Sequence, residues 1–469
     1  MKTLFLNPPS FHGFDGGAGA RYQARREIRS FWYPDWLAQA AALVEDSRLV
    51  DAPPDNLSFE DVARISEDFE LTILYTSTPS FAGDVQIAEL IKQHKPSMKI
   101  GFVGPHVTAL PEESLQNARV LDFVVRKEFD YAVRDIAMGK KFAEVKGISW
   151  RDGDTIRHNQ LPDLIQDLDA LPSVLDVYKR DLTIDNYYNG YLLHPYLSLY
   201  TGRGCTHYCT FCLWPQTVSS HRFRTRSSDS VYREFAQAID YFPQVKEFFI
   251  NDDTFTANLP RAEEIAHSLK PLGITWAANA AADVPYETLK ILKECGLRIL
   301  VVGYESGSDI ILRNIRKGVT TQMARKFTRD CKDLGIDVHG CFILGLPGET
   351  QQTIQQTIQY ACEIDPDMIQ VSIAAPYPGT RFYEQALANN WLSQNDLLNA
   401  KGIQECVLNY PGLSSADINA SIDRFYRQFY MRARVLYRIG RKMMRDSHER
   451  QRRFREGKEF MQYLRTRRL

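Results

Sequence analysis

The sequence predicts an α/β protein built in series: a doubly wound, Rossmann-like domain, a partial (β/α)6 barrel of the TIM type, and a helical carboxyl-terminal segment. Three observations predict it. Short apolar runs rich in β-branched and aromatic residues alternate with segments of helical spacing. From Tyr196 the alternation becomes more regular and repeats through six units, and after about residue 410 such runs stop. Alternating strands and helices imply a parallel sheet covered on both faces, with ligands beyond the carboxyl ends of the strands.

In the first domain, set at residues 1–144, strands are expected at TLFLNP (3–8), LTILY (71–75), KIGFV (99–103) and LDFVV (121–125). Each is followed by Pro, Gly or polar turn residues. Between them, Asp84 to His94 carries Val85, Ile87, Leu90 and Ile91 at helical spacing. Residues 145–194, with hairpin-like WRDGDT and the Pro-broken DLDALPS, read as a connector. The barrel, set at 195–405, takes its six strands from YLSLY, KEFFI, ITWAA, RILVV, DVHGCFIL and IQVSIA. In the last segment, 406–469, Phe425, Phe429, Leu436 and Met443 suit one face of a helix. From Met431 to Leu469 there are fourteen Lys or Arg against four acids. That segment is either a solvated tail packed on the barrel or a contact with an anionic membrane surface.

A chain of 469 residues, 44% hydrophobic, buries ordinary cores without disulfides. Its net charge of −1 argues against a field that would gather nucleic acid. The apolar Leu4-Phe5-Leu6 ends at Asn7-Pro8-Pro9, too soon for a secretory h-region, and no apolar stretch approaches the roughly 18 residues that span a bilayer. A cytoplasmic address with reduced thiols is therefore expected. Five of the eight cysteines (Cys295, Cys331, Cys341, Cys362 and Cys406) are scattered and read as small core residues. The glycine-rich FDGGAGAR at 14–21 lacks the third glycine of a dinucleotide loop.

The other three cysteines fall together in Gly202-Arg203-Gly204-Cys205-Thr206-His207-Tyr208-Cys209-Thr210-Phe211-Cys212, directly after the first barrel strand. A cuboidal 4Fe-4S cluster usually takes four cysteines, so Cys205, Cys209 and Cys212 leave one iron open. That vacancy suits chelation of S-adenosylmethionine (SAM) by its amino and carboxylate groups, followed by electron transfer into the sulfonium. A zinc site completed by His207 or His221 is the alternative, although structural zinc favours CxxC pairs that lie apart in sequence.

CxxxCxxC with an aromatic beside the third cysteine resembles the signature of the radical SAM superfamily. The resemblance implies a 5′-deoxyadenosyl radical chemistry driven by a low-potential electron donor such as flavodoxin or ferredoxin. It implies that Phe211 borders the adenine, that Asp252 and Asp253 at the end of the second strand meet the methionine amino group, and that Glu305 and Ser306 at the end of the fourth contact ribose or carboxylate. Gly345 and Leu346, in the Gly345-Leu346-Pro347-Gly348-Glu349 turn, fall in the adenine-contacting segment. A helix cap is the alternative reading of Asp252 and Asp253, and an ion pair with a neighbour such as Arg298 that of Glu305. Trp214, His221, His339 and Tyr377 are candidates for the substrate side or for packing.

A doubly wound domain ahead of such a barrel resembles the cobalamin-binding class of the superfamily. On that resemblance Ser77, Thr78, His106 and Glu128, at strand ends, are cobalamin candidates, although no DxHxxG offers an obvious lower cobalt ligand. The strings FDGGAGARYQARREIRSFWYPDWLAQ, TSTPSF, CTFCLWPQTV and DDTFTANLPR resemble the hopanoid-biosynthesis-associated branch of this class. That implies a hopanoid lipid substrate, contraction of a hexosamine headgroup on bacteriohopanetetrol to a cyclitol ether, and peripheral contact with the membrane. A cobalamin-dependent methyltransferase acting on a hopanoid or other apolar substrate is the rival reading, and a non-enzymatic iron-sulfur or zinc module the remote one.

Overall fold

The structure, a computed structural model, describes residues 1–9, 27–394, 397–399, 402–445 and 447–466. The glycine-rich 14–21 stretch lies outside the described residues.

The first domain is a seven-stranded sheet of β1 (Thr3–Asn7), β2 (Ser47–Asp51), β3 (Leu71–Tyr75), β4 (Lys99–Val103), β5 (Phe123–Val125), β6 (Ile148–Asp152) and β7 (Thr155–His158). Their order is β2-β1-β3-β4-β5-β6-β7. The first five are parallel, and the last two run antiparallel at one edge. Alternation along β1 sends Phe5 to one face and Leu4 and Leu6 to the other. The Leu4 face packs against helices Phe59–Ser66 and Phe81–His94 through Val62, Ala63, Ile87 and Ile91. The Phe5 face packs against helices Asp35–Ala42 and Asp130–Ala137 and runs without a break into the barrel core. The chain order changes sense between β1 and β3, so the switch-point crevice opens above Asn7 and Thr76.

This corrects the boundary set at residue 144. The WRDGDT hairpin is no connector: Ile148, Ser149 and Trp150 pair with β5, and the first domain extends to His158. The strand β2 carries only Leu49 and Val50 as an apolar pair at the sheet edge, too weak a pattern to be read from sequence.

The barrel strands β8 (Tyr196–Leu199), β11 (Glu247–Ile250), β12 (Trp276–Ala280), β13 (Leu297–Glu305), β14 (Asp337–Leu344) and β15 (Met368–Ile373) are all parallel, in the order β15-β14-β13-β12-β11-β8. Between the first two lies a small antiparallel hairpin, β9 (Gly202–Arg203) with β10 (Arg224–Thr225). All six strands expected from the sequence are present. Asp35 of the first domain accepts hydrogen bonds from Tyr178 (2.6 Å), Ser198 (3.1 Å) and Asn251 (2.6 Å), tying that domain to two barrel strands.

The carboxyl-terminal helices are Ser415–Tyr430, Ala433–Arg445 and Ser447–Thr466. Phe425 and Phe429 are buried on the barrel, but the helix ends at Tyr430 and Leu436, on the next helix, is 51% exposed, so the four residues do not share one buried face. Among the described residues no helix is long and apolar enough to cross a membrane. Of the scattered cysteines, Cys295, Cys331 and Cys406 are buried, and Cys341 and Cys362 are half-buried.

Candidate active site

The three clustered cysteines occupy the loop that leaves β8 at its carboxyl end. This loop is held from several sides. Gly204, at φ 96°, backs onto the carbonyl of Arg222 so closely that a Cβ would collide with it, and only glycine takes that conformation without strain. Cys205 N donates to Ser220 O at 3.2 Å, and Cys205 Sγ lies 3.4 Å from Thr254 Oγ1. Gln216, one turn beyond Cys212, donates to the carbonyls of Cys212 (2.7 Å), Thr210 (3.1 Å) and Cys209 (3.3 Å) and draws the loop around its side chain.

Cys205 and Cys209 are buried and Cys212 is half-buried. Burial pushes the Cys209 thiol up to about 11, while the Lys317 ammonium acts in the opposite direction. Among the described residues, no group of three or more His, Cys, Asp or Glu side chains converges tightly enough for a single metal ion. Three thiolates on one loop at the carboxyl end of a barrel strand are a donor set that fits a 4Fe-4S cluster with one iron left open. His221 is otherwise engaged, stacked on Tyr208 at 4.4 Å with its Nδ1 2.9 Å from the His207 carbonyl, and the His207 ring meets the Lys317 backbone.

Asp252 sits at the end of β11 as the sequence implies, yet its carboxylate faces the loop and not a ligand. It accepts from Thr201 N (2.6 Å), Thr201 Oγ1 (2.6 Å) and Gly202 N (2.8 Å), with Arg261 at 3.7 Å, and it is fully buried. Asp253 Oδ2 accepts from Gly204 N at 3.1 Å and Ser219 Oγ at 3.0 Å, so both acids clamp the strand-to-cluster turn. Ser306 is likewise turned inward, 3.1 Å from Thr357 Oγ1. Glu305 lies beside the cysteines but pairs with Lys317 at 2.6 Å, whereas Arg298 pairs with Glu247 at the opposite end of the barrel.

Gly345 and Leu346 end β14 in a turn closed by Glu349. Its Oε2 accepts from their amides at 2.5 and 3.2 Å, and Tyr410 donates to the Gly345 carbonyl at 2.7 Å. Burial pushes the Glu349 carboxyl up to about 8. Phe211 is half-buried against the barrel core. His339 is placed at the start of β14, at the opposite end of that strand from Gly345 and Leu346, where it stacks on Tyr191 at 4.4 Å. Trp214 packs edge-on against Trp36 (5.6 Å), and burial raises the Tyr377 hydroxyl well above its ordinary pKa.

At the crevice of the first domain, Thr78 and His106 come together, with His106 Nδ1 3.2 Å from Thr78 Oγ1 and its ring against Phe81 at 4.4 Å. Burial depresses His106 to about 4, leaving a neutral imidazole. Gly104, at φ 119°, lets its loop lie against the Thr76 carbonyl, where a Cβ would not fit. These close-packed polar strand ends fit a cobalamin resting over the sheet. Two candidates do not belong to that surface. Ser77 turns into a buried turn with Ser80 (3.0 Å). Glu128 spends both oxygens on Arg224 (2.6 and 2.8 Å) and accepts from Ile165 N.

The crevice abuts the cysteine loop. The helix Pro105–Ala109 packs against the helix Leu213–Thr217 that follows Cys212. Gly379 fills the gap: a Cβ there would stand 2.9 Å from Ala109 Cβ and 2.8 Å from Thr217 Cγ2. Lys127 Nζ reaches the Gln216 carbonyl at 3.5 Å. Gln216 falls inside the string CTFCLWPQTV but is assigned no role there, and Lys317 belongs to no motif considered.

A family model of the radical SAM superfamily matches residues 199–361, and one of the B12 binding domain matches residues 24–137. The chain is 30% identical over 454 residues to a protein of Pyrococcus horikoshii named as an uncharacterized methyltransferase, covering 93% of this chain and 94% of that one. It is 24% identical over 463 residues to the anaerobic magnesium-protoporphyrin IX monomethyl ester cyclase of Cereibacter sphaeroides, covering 93% and 71%. The solved structure of the radical S-adenosylmethionine methyltransferase TsrM from Kitasatospora setae, with cobalamin and a [4Fe-4S] cluster bound, shares the fold at a TM-score of 0.71 and 14% identity, covering 98% of this chain and 99% of that one. The chain belongs to the radical SAM superfamily, in the class whose barrel follows a B12-binding domain, and its cofactors are a 4Fe-4S cluster, SAM and cobalamin.

Proposed function

We propose that this enzyme transfers a methyl group from SAM, with cobalamin as carrier, to an apolar substrate. The observation that carries the reading is the junction of Pro105–Ala109 with Leu213–Thr217, which sets the strand ends of the B12-type domain against the loop of Cys205, Cys209 and Cys212. The name of the Pyrococcus horikoshii relative supports methyl transfer over ring contraction. One SAM would give up its methyl group and leave as S-adenosylhomocysteine, while the cluster, when loaded, would supply the electron that cleaves a second SAM to methionine and the 5′-deoxyadenosyl radical that takes the hydrogen the methyl group replaces; that electron comes from a donor such as flavodoxin or ferredoxin.

The chain's own residues orient and exclude. Cys205, Cys209 and Cys212 hold three irons; Asp252, Asp253 and Gln216 fix the loop that carries them; and the Gly345–Glu349 turn forms one wall for the adenosyl group. The neutral His106 with Thr78 offers polar contacts to cobalamin without a charge to desolvate.

An apolar acceptor, hopanoid or other, is supported by one surface. Leu436 (51% exposed), Tyr437, Met444 and Phe454 stand out on the last two helices among the exposed Arg434, Arg441 and Arg455, a mixture suited to an anionic lipid surface.

The test is turnover of anaerobic, cobalamin-loaded enzyme with SAM, reductant and glucosaminyl bacteriohopanetetrol, followed by chromatography with mass spectrometry. S-adenosylhomocysteine together with a lipid heavier by one methylene unit supports the reading. 5′-Deoxyadenosine with a lipid isomer of unchanged mass would replace it with headgroup ring contraction.

A further inference from the structure

Lys317 lies in the turn between helices Asp309–Asn314 and Thr321–Asp333, and that turn is wrapped against the cysteine loop. Ile315 O accepts from Thr210 N at 2.9 Å, the His207 ring meets the Lys317 backbone, and a Cβ on Gly318 would stand 3.6 Å from His207 Nδ1. The Lys317 side chain is 13% exposed, and its Nζ contacts Glu305 Oε1 at 2.6 Å.

The backbone is unusual at both ends of this pair. Glu305 (φ 60°), Arg316 (φ 56°) and Gly318 (φ 78°) all sit in the left-handed region, which a non-glycine residue adopts only under strain. Gly303 completes the arrangement, since a Cβ there would run into the Glu305 carboxylate and stand 2.8 Å from Lys317 Nζ. The pair thus stands, buried, where the turn that carries Lys317 is hydrogen-bonded to the cysteine loop, and it brings two charges of opposite sign there.

We propose that Lys317 is a positioning residue that sets the reduction potential of the cluster on Cys205, Cys209 and Cys212, with Glu305 as the opposing charge. The inference rests on that cluster assignment and not on the identity of the methyl acceptor. Reduction adds one electron, and hence one negative charge, to a buried site. A fixed ammonium nearby favours the reduced form, and a carboxylate disfavours it. The two side chains must therefore act with opposite sign, which a merely structural ion pair would not do.

The experiment uses the full-length protein with its cluster reconstituted anaerobically, without SAM. The protein is poised at a series of potentials with a titanium(III) reductant, and the reduced cluster is counted by electron paramagnetic resonance. The expected result is a midpoint lower than wild type in Lys317→Met, higher in Glu305→Gln, and close to wild type in Lys317→Arg. Shifts of the same sign in the first two, or no shift in either, overturn the proposal. Should Lys317→Met hold no cluster, Glu305→Gln decides alone, and an unchanged or lowered midpoint there overturns it. The readout needs neither SAM nor substrate, so failure of methyl transfer and failure of this inference are separable.

Discussion

The Arg203 guanidinium, two residues before the first cluster cysteine, makes two hydrogen bonds of 2.9 Å to the carboxylate of Asp130 in the B12-type domain. Both groups are almost wholly buried, and Trp36 lies against the guanidinium at 4.1 Å. Glu128 with Arg224 extends the network into the β9–β10 hairpin. A buried pair adds little over an apolar one, but removal of one partner strands the other charge and costs about 3–5 kcal/mol. Arg203→Met is therefore expected to lower the melting temperature sharply and to reduce iron content after reconstitution, because the strand leading into Cys205 loses its anchor. Calorimetry and iron analysis check it.

Asp252→Ala separates loop support from SAM contact. It leaves the buried amides of Thr201 and Gly202 without an acceptor, at about 1–3 kcal/mol each. Hydrogen exchange over residues 201–205 is expected to rise and iron content to fall, while SAM affinity per loaded cluster stays at the wild-type value. A selective loss of SAM affinity with normal exchange would restore Asp252 to the ligand site.

Stability should fall as the pH rises from the acid side through neutrality. Burial raises Asp51 and Asp84 to about 7 and Glu349 to about 8, against opposing hydrogen bonds, so all three are neutral in the fold at lower pH. A raised carboxyl stabilises fully below its unfolded pKa, and that contribution is lost as pH climbs through the folded value, at up to about 1.4 kcal/mol per pH unit for each group. The melting temperature is expected to decline between about pH 4 and 8 through these groups and to level off above that range, and Asp84→Asn and Glu349→Gln, neutral at every pH, should each flatten the decline.

Strands with a full apolar pattern were legible in the sequence: DVHGCFIL became β14 without a change of boundary. The cysteine loop was legible too, because its chemistry resides in adjacent residues. Asp252 and Asp253 were not, since an acid that caps a turn and an acid that meets a ligand are written alike. The amides that claim Asp252 lie about fifty residues away in the chain. Glu128 failed for the same reason, its partner Arg224 being 96 residues distant and in the other domain. Lys317 carries no motif, and only folding brings its turn against the cysteine loop.

The central claim, that SAM gives its methyl group through a cobalamin-dependent route, is tested most directly without any acceptor. Anaerobic enzyme is incubated with SAM and reductant, once loaded with cobalamin and once free of it, and the SAM products are separated by mass spectrometry. S-adenosylhomocysteine formed only in the loaded sample is the predicted result. 5′-Deoxyadenosine as the sole product in both samples, indifferent to cobalamin, would contradict it.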